Sequence, residues 1–266
     1  MNSIANKVAI ITGGAGGPDS LGAEVVRHFH AAGARVVIAD INRDEGSALS
    51  EELGENTLFI PTDITSDEDV VSVVQQAVEH FGQLDFLVNS ACTYAENGLN
   101  TNREEWLYLL NVNTVSAALM AREAVPELKK TRGAIVNFSS VAGKISQAGM
   151  FAYSVSKAAN LHLTRKLAAE LASDGIRANT VSPGWTWSDP IAMAAEGSVE
   201  LADEVGAKMH PLGRVGRGKD VAKAILFLCS DESGFITGVD LPVDGGYTTL
   251  GPEQTISPFV WLENKG

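Results

Sequence analysis

Short apolar runs alternate with longer amphipathic segments along almost the whole chain. Seven runs are mostly apolar and rich in Val and Ile, which is typical of strands buried on both faces of a parallel sheet. These predicted strands are Lys7–Thr12, Arg35–Ala39, Thr57–Ile60, Leu84–Val88, Ala134–Phe138, Ile176–Val181 and Val239–Pro242. The segments between them have helical patterns. They predict helices over Leu21–Ala32, Arg43–Leu53, Asp67–Phe81, Arg103–Lys129, Phe151–Ser173 and Lys219–Cys229.

This alternation of strands and helices predicts the fold class. Parallel strands joined by right-handed helical crossovers place helices on both faces of one sheet. We therefore expect an α/β fold with a doubly wound, seven-stranded, mostly parallel sheet. No linker rich in Pro or Ser, no internal repeat and no low-complexity block interrupts the sequence. Residues 1–266 are accordingly interpreted as a single domain.

Two segments do not follow the alternation. Residues 185–210 separate a strand end from the Pro211-Leu212-Gly213-Arg214 turn, and they are long enough to form a lid over a site. Residues 247–266 form a tail whose apolar side chains include Phe259 and Trp261. An apolar tail is expected to dock on a surface. We expect it to pack on a neighbouring subunit with Trp261 near that subunit's substrate entrance, and packing on its own subunit is the alternative.

Composition and charge exclude several classes of partner. The net charge of −13 disfavours a nucleic acid or an anionic membrane, because both bind basic surfaces. No apolar run is long enough for a membrane span, and no targeting segment is recognisable. The only cysteines, Cys92 and Cys229, indicate a reduced, cytoplasmic protein with two small buried thiols. The five histidines show no ligand pattern, so no metal site is expected.

A glycine-rich turn follows the first predicted strand. It reads Thr12-Gly13-Gly14-Ala15-Gly16-Gly17, and a helix begins near Leu21. Such a turn lets backbone N–H groups and a helix N-terminus approach a pyrophosphate. Asp40 ends the second strand, where a carboxylate can accept the ribose hydroxyls of NAD and repel the 2′-phosphate of NADP. Arg43 keeps NADP open as the less favoured cofactor.

A tyrosine, a lysine and a serine carry the candidate chemistry. Tyr153 and Lys157 are four residues apart and would share one face of a helix, and Ser140 lies thirteen residues before the tyrosine. A phenol titrates near pH 10, too high for a base at neutral pH. A neighbouring ammonium favours the phenolate, so we expect Lys157 to lower the pKa of Tyr153 into the range of general acid–base catalysis.

Taken together, these motifs resemble the classical short-chain dehydrogenase/reductase family from about Lys7 to Tyr247. The further motifs are Asp63 in Thr62-Asp63-Ile64-Thr65, Asn113 in Asn111-Val112-Asn113, Pro183-Gly184 and Val243-Asp244-Gly245-Gly246. The resemblance implies a Rossmann-type sheet and a catalytic set of Asn113, Ser140, Tyr153 and Lys157. It also implies a cofactor site formed by Gly13, Gly17, Leu21, Asp40, Asp63, Ile64, Asn89, Ala91, Tyr153, Lys157, Pro183, Gly184 and Ser188.

Within the resemblance, each catalytic residue has an expected role. Tyr153 would exchange the proton of the substrate hydroxyl, and Lys157 would also hold the nicotinamide ribose. Ser140 would bond the substrate oxygen, and Asn113 would fix a water in a proton relay.

The sequence departs from the family pattern at two places. Pro18-Asp19-Ser20 lengthens the glycine turn, which leaves the individual phosphate contacts open. A longer turn with serine is similar to the divergent enoyl reductases, but that branch spaces its tyrosine and lysine seven apart, and position 160 is Asn here. Cys92 stands where the family usually has glycine, so it is expected to narrow the pocket near the nicotinamide.

The resemblance implies an NAD-dependent enzyme that interconverts a secondary alcohol and a ketone. Two alternatives remain: an NADP-dependent 3-oxoacyl-carrier-protein reductase, or a nucleotide-binding protein without activity. The segments expected around the substrate contain large apolar side chains, which favour an apolar substrate unless the tryptophans only pack a lid. These residues are Tyr94, Ile145, Met150, Trp185, Trp187 and Met193. Classical members pair two long helices with symmetry mates, so a homotetramer or homodimer is expected.

Overall fold

A seven-stranded parallel sheet forms the centre of the protein. The computed structural model describes residues 4–17, 20–251 and 259–260, so most of the tail and the Pro18-Asp19 insertion lie outside the described residues. The strands are β1 (Val8–Thr12), β2 (Arg35–Asp40), β3 (Thr57–Pro61), β4 (Phe86–Asn89), β5 (Ala134–Phe138), β6 (Arg177–Pro183) and β7 (Asp240–Val243). Their order is β3-β2-β1-β4-β5-β6-β7, and every neighbouring pair is parallel. The predicted fold class is confirmed.

Nine α-helices of the described residues surround or flank this sheet. They are α1 (Leu21–Ala31), α2 (Arg43–Leu53), α3 (Asp67–Phe81), α4 (Arg103–Leu110), α5 (Ser116–Thr131), α6 (Phe151–Leu171), α7 (Asp189–Ala194), α8 (Val199–Gly206) and α9 (Gly218–Cys229). Several begin at a side chain that accepts a backbone N–H of the first turn, as Ser66 does for α3 and Asn102 for α4. These caps lie at or next to helix starts that the sequence predicted.

Two apolar layers hold the helices against opposite faces of the sheet. On one face, Val25 and Phe29 of α1 and Ile225 of α9 pack against alternate strand residues such as Ile11. On the other face, α3, α5 and α6 pack against the intervening strand residues, among them Ile10. Full burial of each large side chain contributes about 1.5–3 kcal/mol. The strands are buried on both faces, which is why their sequences are apolar without alternation.

The strand order reverses between β1 and β4. β2 and β3 follow on one side of β1, whereas β5, β6 and β7 follow on the far side of β4. The connections therefore diverge at this point and leave a crevice outside the carboxyl ends of the strands, where ligands bind in open α/β sheets. This crevice fixes the place of the candidate site.

The long helix predicted over Arg103–Lys129 is divided. α4 ends at Leu110, a π-helical turn occupies Asn111–Val115, and α5 continues from Ser116. A π turn adds a residue to one helical turn, whereas the sequence pattern predicted the whole segment as one continuous helix. This turn contains Asn113, one of the predicted catalytic residues, as a buried residue.

The segment predicted to form a lid contains α7 and α8. Arg217 binds Asp203 of α8 at 2.6 Å, and the pKa of that carboxyl is lowered mainly by this hydrogen bond. Trp185 and Trp187 exchange backbone hydrogen bonds with Gly216 at 2.7 and 2.9 Å. The segment is therefore fixed at both ends to the turn that precedes α9, and its role as a lid stays a prediction. No helix in the described ranges is long and apolar enough to span a membrane.

Candidate active site

One large cavity, of about 880 Å³, lies at the carboxyl ends of the central strands. Eleven of the thirteen residues predicted for the cofactor line it: Gly13, Leu21, Asp40, Asp63, Ile64, Ala91, Tyr153, Lys157, Pro183, Gly184 and Ser188. Ser140 lines it as well, which places the candidate chemistry beside the candidate cofactor site. Gly17, Asn89 and Asn113 are outside this lining.

The turn after β1 brings backbone close to the cavity. Gly13 has φ of +63°, and a Cβ there would lie 2.6 Å from Cα of Ala91. A Cβ at Gly22 would overlap the carbonyl oxygen of Gly13, so α1 can begin directly against the turn only with glycine at that position. These glycines were predicted to let backbone approach a ligand closely. They are also required for packing within the protein itself.

Asp40 is the last residue of β2 and contacts the glycine-rich turn at Ala15. One carboxylate oxygen accepts the Ala15 N–H at 3.0 Å, and the other accepts the Asn42 N–H at 2.9 Å. Each oxygen keeps a second lone pair for a ligand hydroxyl. Asp63 differs, because its carboxylate accepts the Thr65 N–H and hydroxyl at 2.8 and 2.7 Å and so closes its own turn.

The strand end at β4 supports the cavity wall from behind. The Thr12 hydroxyl oxygen accepts the N–H groups of Ser90 and Ala91 at 3.2 and 3.3 Å, and the Ser90 hydroxyl donates to the Thr12 carbonyl. Ser90 therefore ties β4 to β1. The Asn89 amide donates to Asn137 at 2.8 Å and is buried, so Asn89 supports this wall without facing the cavity.

Asn113 connects three parts of the site from inside the wall. Its amide donates to the Thr93 carbonyl at 3.0 Å and to the Ser156 hydroxyl at 3.1 Å, and its side-chain oxygen accepts the Thr93 N–H at 2.7 Å. Its main-chain carbonyl accepts the Asn160 amide at 2.8 Å. In this geometry Asn113 holds the loop after β4 against α6, and the expected role in a water relay stays a prediction.

Lys157 is a buried cation with spare donors. Only 2 % of the residue is exposed, and the ammonium donates to the Phe138 carbonyl at 3.4 Å. It has no salt bridge among the described residues. Because an ammonium carries three donors and is costly to bury alone, this group indicates a ligand with oxygen acceptors in the cavity.

Tyr153 is the group on which the other polar side chains converge. Hydrogen bonding from the hydroxyls of Ser140 and Tyr94 lowers the pKa of its phenol, and the ammonium of Lys157 lies 5.4 Å from the centre of its ring. The ring of Tyr94 stacks on it with centroids 4.7 Å apart. Both donors stabilise the phenolate, as a base at this position requires.

The electrostatic balance differs from the sequence prediction. Burial raises the pKa of Tyr153, and the cation of Lys157, which lowers it, does not fully compensate. The Cys92 thiol raises the pKa further, while the hydrogen bonds from Tyr94 and Ser140 lower it. The net direction is upward, so the expectation of a pKa below the ordinary value is not met in the protein alone. Lys157 lowers the pKa of Tyr153, as predicted, but burial of the phenol, which the sequence could not show, raises it by more.

The predicted substrate-pocket residues divide into two groups. Tyr94, Met150 and Trp185 line the cavity. Trp187 packs with Ala195, Ala202 and Val215 beneath the α7–α8 segment. Ile145 and Met193 are exposed outside the cavity, Met193 by 82 %. Large apolar residues near a site in sequence can equally support a loop or lie on its outer surface, and spacing does not separate these cases.

Several residues of the site carried no recognisable signal. Tyr108, Val112, Gln147 and Ile191 also line the cavity, and Gln147 donates to the Tyr247 hydroxyl at 3.3 Å. Cys92 is half-buried in the cavity wall, whereas both cysteines were expected to be buried. Cys229 meets that expectation, and burial raises the pKa of its thiol to about 12. The described residues contain no cluster of three or more potential metal ligands.

Comparison with known proteins gives one consistent family. A family model described as enoyl-(acyl carrier protein) reductase matches residues 14–248. An L-fucose dehydrogenase of Mus musculus is 37% identical over 270 residues, which cover 96% of this chain and 96% of the relative. A 2,5-dichloro-2,5-cyclohexadiene-1,4-diol dehydrogenase of Sphingobium indicum is 37% identical over 252 residues, covering 93% and 98%. A tropinone reductase-like protein of Erythroxylum coca is 36% identical over 253 residues, covering 92% of each.

The doubly wound sheet and these relatives define an oxidoreductase of the class that uses a nicotinamide cofactor. The chain belongs to the classical short-chain dehydrogenase/reductase family, in agreement with the resemblance of its motifs.

Proposed function

We propose that this protein is an NAD-dependent oxidoreductase that interconverts a secondary alcohol and a ketone, with Tyr153 as the general acid–base. The observation that carries the proposal is that the Ser140 hydroxyl and the Lys157 ammonium both lie close enough to Tyr153 to lower the pKa of its phenol, at the wall of a cavity that also reaches Asp40. A proton-transfer group and a site for a dinucleotide are thereby combined in one crevice.

The residues of the cavity fit a dinucleotide. Lys157 offers ammonium donors without a protein carboxylate partner among the described side chains, and Asp40 offers oxygen lone pairs at the other end of the glycine turn. Asp63 and Ile64 line the wall beyond Asp40. A ligand with hydroxyls at both ends satisfies these groups, and NAD has one ribose at each end. When bound, NAD supplies the acceptor for the hydride that leaves the carbinol carbon.

The protein's own residues supply the proton transfer and the positioning. Tyr153 takes the proton from the substrate hydroxyl during oxidation and returns it during reduction. Ser140, whose hydroxyl lowers the pKa of Tyr153, would bond the substrate oxygen beside that phenol. Lys157 stabilises the phenolate and would hold the nicotinamide ribose through its remaining donors.

We propose a substrate whose reacting carbinol is carried by a ring or another apolar group. Val112, Met150, Trp185 and Ile191 supply apolar surface to the cavity beside Tyr153. The names of the relatives given above contain a sugar, a cyclohexadienediol and tropinone, which support a cyclic substrate, although the sugar is polar. Pockets of this kind gain most of their affinity from burial and their orientation from a few polar groups. Gln147 is the cavity residue placed to select a polar substituent.

Reduction of a 3-oxoacyl carrier protein is the second enzymatic candidate. That reaction would require docking of an acidic carrier on basic surface, which the net charge of −13 disfavours. No observation at the site favours it over a small alcohol. The description of the matching family, an enoyl reductase, concerns a carbon–carbon double bond, and Ser140, Tyr153 and Lys157 instead support proton exchange at a hydroxyl.

Asp40 is predicted to set the choice of cofactor. Replacing Asp40 by Ala should lower the ratio of kcat/KM for NAD to that for NADP by about 10- to 100-fold, because hydrogen bonds to a charged group contribute about 1.5–3 kcal/mol. The measurement is steady-state kinetics with both cofactors for the wild type and the variant. Asp44→Ala removes an exposed carboxylate from the first turn of α2 and is the matched control. Equal use of both cofactors by the wild type would show that Asp40 does not select NAD.

The experiment that tests the proposed function is a screen of NAD reduction. Secondary alcohols grouped as aliphatic, alicyclic, aryl and acyl-thioester should show turnover in at least one group, with alicyclic or aryl alcohols preferred. Tyr153→Phe should abolish most of that turnover. An absence of turnover in every group, with NAD binding intact, would leave a nucleotide-binding protein without this activity and would contradict the proposal.

We further propose a closed oligomer, a homotetramer or a homodimer. Leu107 and Tyr108 of α4 and Phe151 and Val155 of α6 are exposed, and apolar faces of this kind are usually covered in an assembly. Light scattering at micromolar concentration should give a mass of at least two chains. A mass near that of one chain, 28.1 kDa, would contradict this expectation. The two free cysteines are the basis for proposing the cytoplasm as the compartment.

A further inference from the structure

The helix that carries Tyr153 and Lys157 has no side-chain cap of its own. Met150 occupies the N-cap position of α6 and provides no side-chain hydrogen bond. The first N–H groups of α6 are instead accepted by Glu96, which lies in the loop after β4. Its carboxylate accepts the N–H of Phe151 at 2.8 Å, of Ala152 at 2.6 Å and of Tyr153 at 3.1 Å.

Three donors on one carboxylate make a strong attachment. The first backbone N–H groups of a helix have no partner within the helix, and they also carry the positive end of its dipole. A carboxylate in that position makes charge-assisted hydrogen bonds, which are shorter and stronger than neutral ones. Glu96 is half-buried, so water competes less for these bonds than at an exposed helix end.

The same loop carries the side chains that surround the phenol of Tyr153. We define this loop as residues 92–97. Cys92 lies in the cavity wall, and Tyr94 stacks on Tyr153 and lowers the pKa of its phenol. Thr93 is bound to Asn113 on the far side of the loop. Glu96 therefore also attaches this loop to the protein, through hydrogen bonds to the backbone of α6 that include the N–H of Tyr153.

We propose that Glu96 is a positioning residue of the active site. Its carboxylate fixes the 92–97 loop to the first turn of α6. It thereby holds the Tyr94 ring against Tyr153 and keeps the Tyr153 phenol in position beside Ser140 and Lys157. This inference rests on the proposed function, because it assigns to Glu96 the geometry of the group that transfers the proton. Glu96 does not touch the reacting atoms in this role and acts through Tyr153 and Tyr94.

The test compares Glu96→Ala and Glu96→Gln with a matched carboxylate cap elsewhere. Glu105 accepts the Asn102 N–H at 2.7 Å in the capping box of α4, a helix start without a proposed catalytic residue. Glu105→Ala should therefore lower the thermal midpoint, as Glu96→Ala does, without changing kcat. Glu96→Ala should lower kcat by about 10- to 100-fold, because small misplacements of a reacting group have effects of that size.

The pattern of the constants identifies positioning. Glu96→Gln keeps one oxygen acceptor and should recover part of the lost kcat. The dissociation constant of NAD, measured by calorimetry with the resting enzyme, should stay within about twofold of the wild type in both variants, since neither variant removes the Lys157 ammonium or the Asp40 carboxylate. Near-ultraviolet circular dichroism should report the altered Tyr94–Tyr153 stack in Glu96→Ala and not in Glu105→Ala.

A kcat unchanged in Glu96→Ala, or lowered equally in Glu105→Ala, would overturn the inference. If Glu96→Ala does not fold, the same criterion applies to Glu96→Gln, whose kcat must fall. Failure of the proposed function is recognised separately, because Tyr153→Phe would then keep its turnover. An inactive Tyr153→Phe together with a fully active Glu96→Ala would refute the role of Glu96 alone.

Discussion

Replacing Tyr153 by Phe is expected to lower kcat by about two to four orders of magnitude, the usual contribution of a general acid–base. The variant keeps the ring that stacks on Tyr94 and loses the phenol oxygen whose pKa Ser140, Tyr94 and Lys157 lower. The fold should be unaffected, because the lost group faces the cavity and not the apolar core. Steady-state kinetics with the best alcohol of the substrate screen measures the effect.

The control for this substitution is Tyr247→Phe. Tyr247 has a hydroxyl that accepts from Gln147 and lies outside the cavity lining, so its loss should change kcat by less than about tenfold, the size of one neutral hydrogen bond. NAD binding should be retained by Tyr153→Phe within a similar range. Near-normal turnover by Tyr153→Phe would mean that another group transfers the proton.

Replacing Lys157 by Ala is expected to weaken both cofactor binding and catalysis. The ammonium is buried, with donors left for the ribose, so its loss should raise the dissociation constant of NAD by about tenfold or more and lower kcat by at least as much. The pH dependence should change as well. Lys157 lowers the pKa of Tyr153, so its removal raises that pKa. The rise of kcat/KM for alcohol oxidation, which requires the phenolate, should therefore move to higher pH.

Lys166→Ala provides the matched comparison on the same helix. Lys166 is exposed and pairs with Glu170 one turn further along α6, a surface ion pair that contributes about 0–1 kcal/mol to stability. This variant should keep the kinetics and the pH profile of the wild type. A Lys157→Ala variant whose profile does not move, or moves to lower pH, would contradict the assigned interaction between Lys157 and Tyr153.

Much of the fold could be predicted from the sequence because the physical signals were local. Strands buried on both faces are continuously apolar, and caps such as Ser66 and Asn102 mark helix starts. The π turn at Asn111–Val115 was missed because the segment on either side of it was interpreted as one continuous helix. Motif spacing placed Ser140, Tyr153 and Lys157 around one cavity, since each lies at the end of an element whose position the sheet determines.

The remaining features of the site depend on contacts between distant segments. Glu96 caps a helix that begins more than fifty residues later, so no local pattern connects the two. The placements of Trp187 and Met193 outside the cavity depend on how the α7–α8 segment packs. The upward pKa of Tyr153 is a consequence of burial, which only the assembled structure determines. The spacing of motifs in the sequence indicates which residues lie together. Their pKa values also depend on burial, which the sequence does not show.

The most direct measurement follows a deuterium atom from the carbinol carbon. A secondary alcohol that is active in the screen is deuterated at that carbon and oxidised with NAD, and the reduced cofactor is analysed by mass spectrometry. We expect the deuterium in the reduced nicotinamide for the wild type, and label transfer slowed by about two to four orders of magnitude for Tyr153→Phe. Ketone formation without label in the cofactor, or labelled cofactor formed at the wild-type rate by Tyr153→Phe, would contradict NAD-dependent hydride transfer coupled to proton exchange at Tyr153.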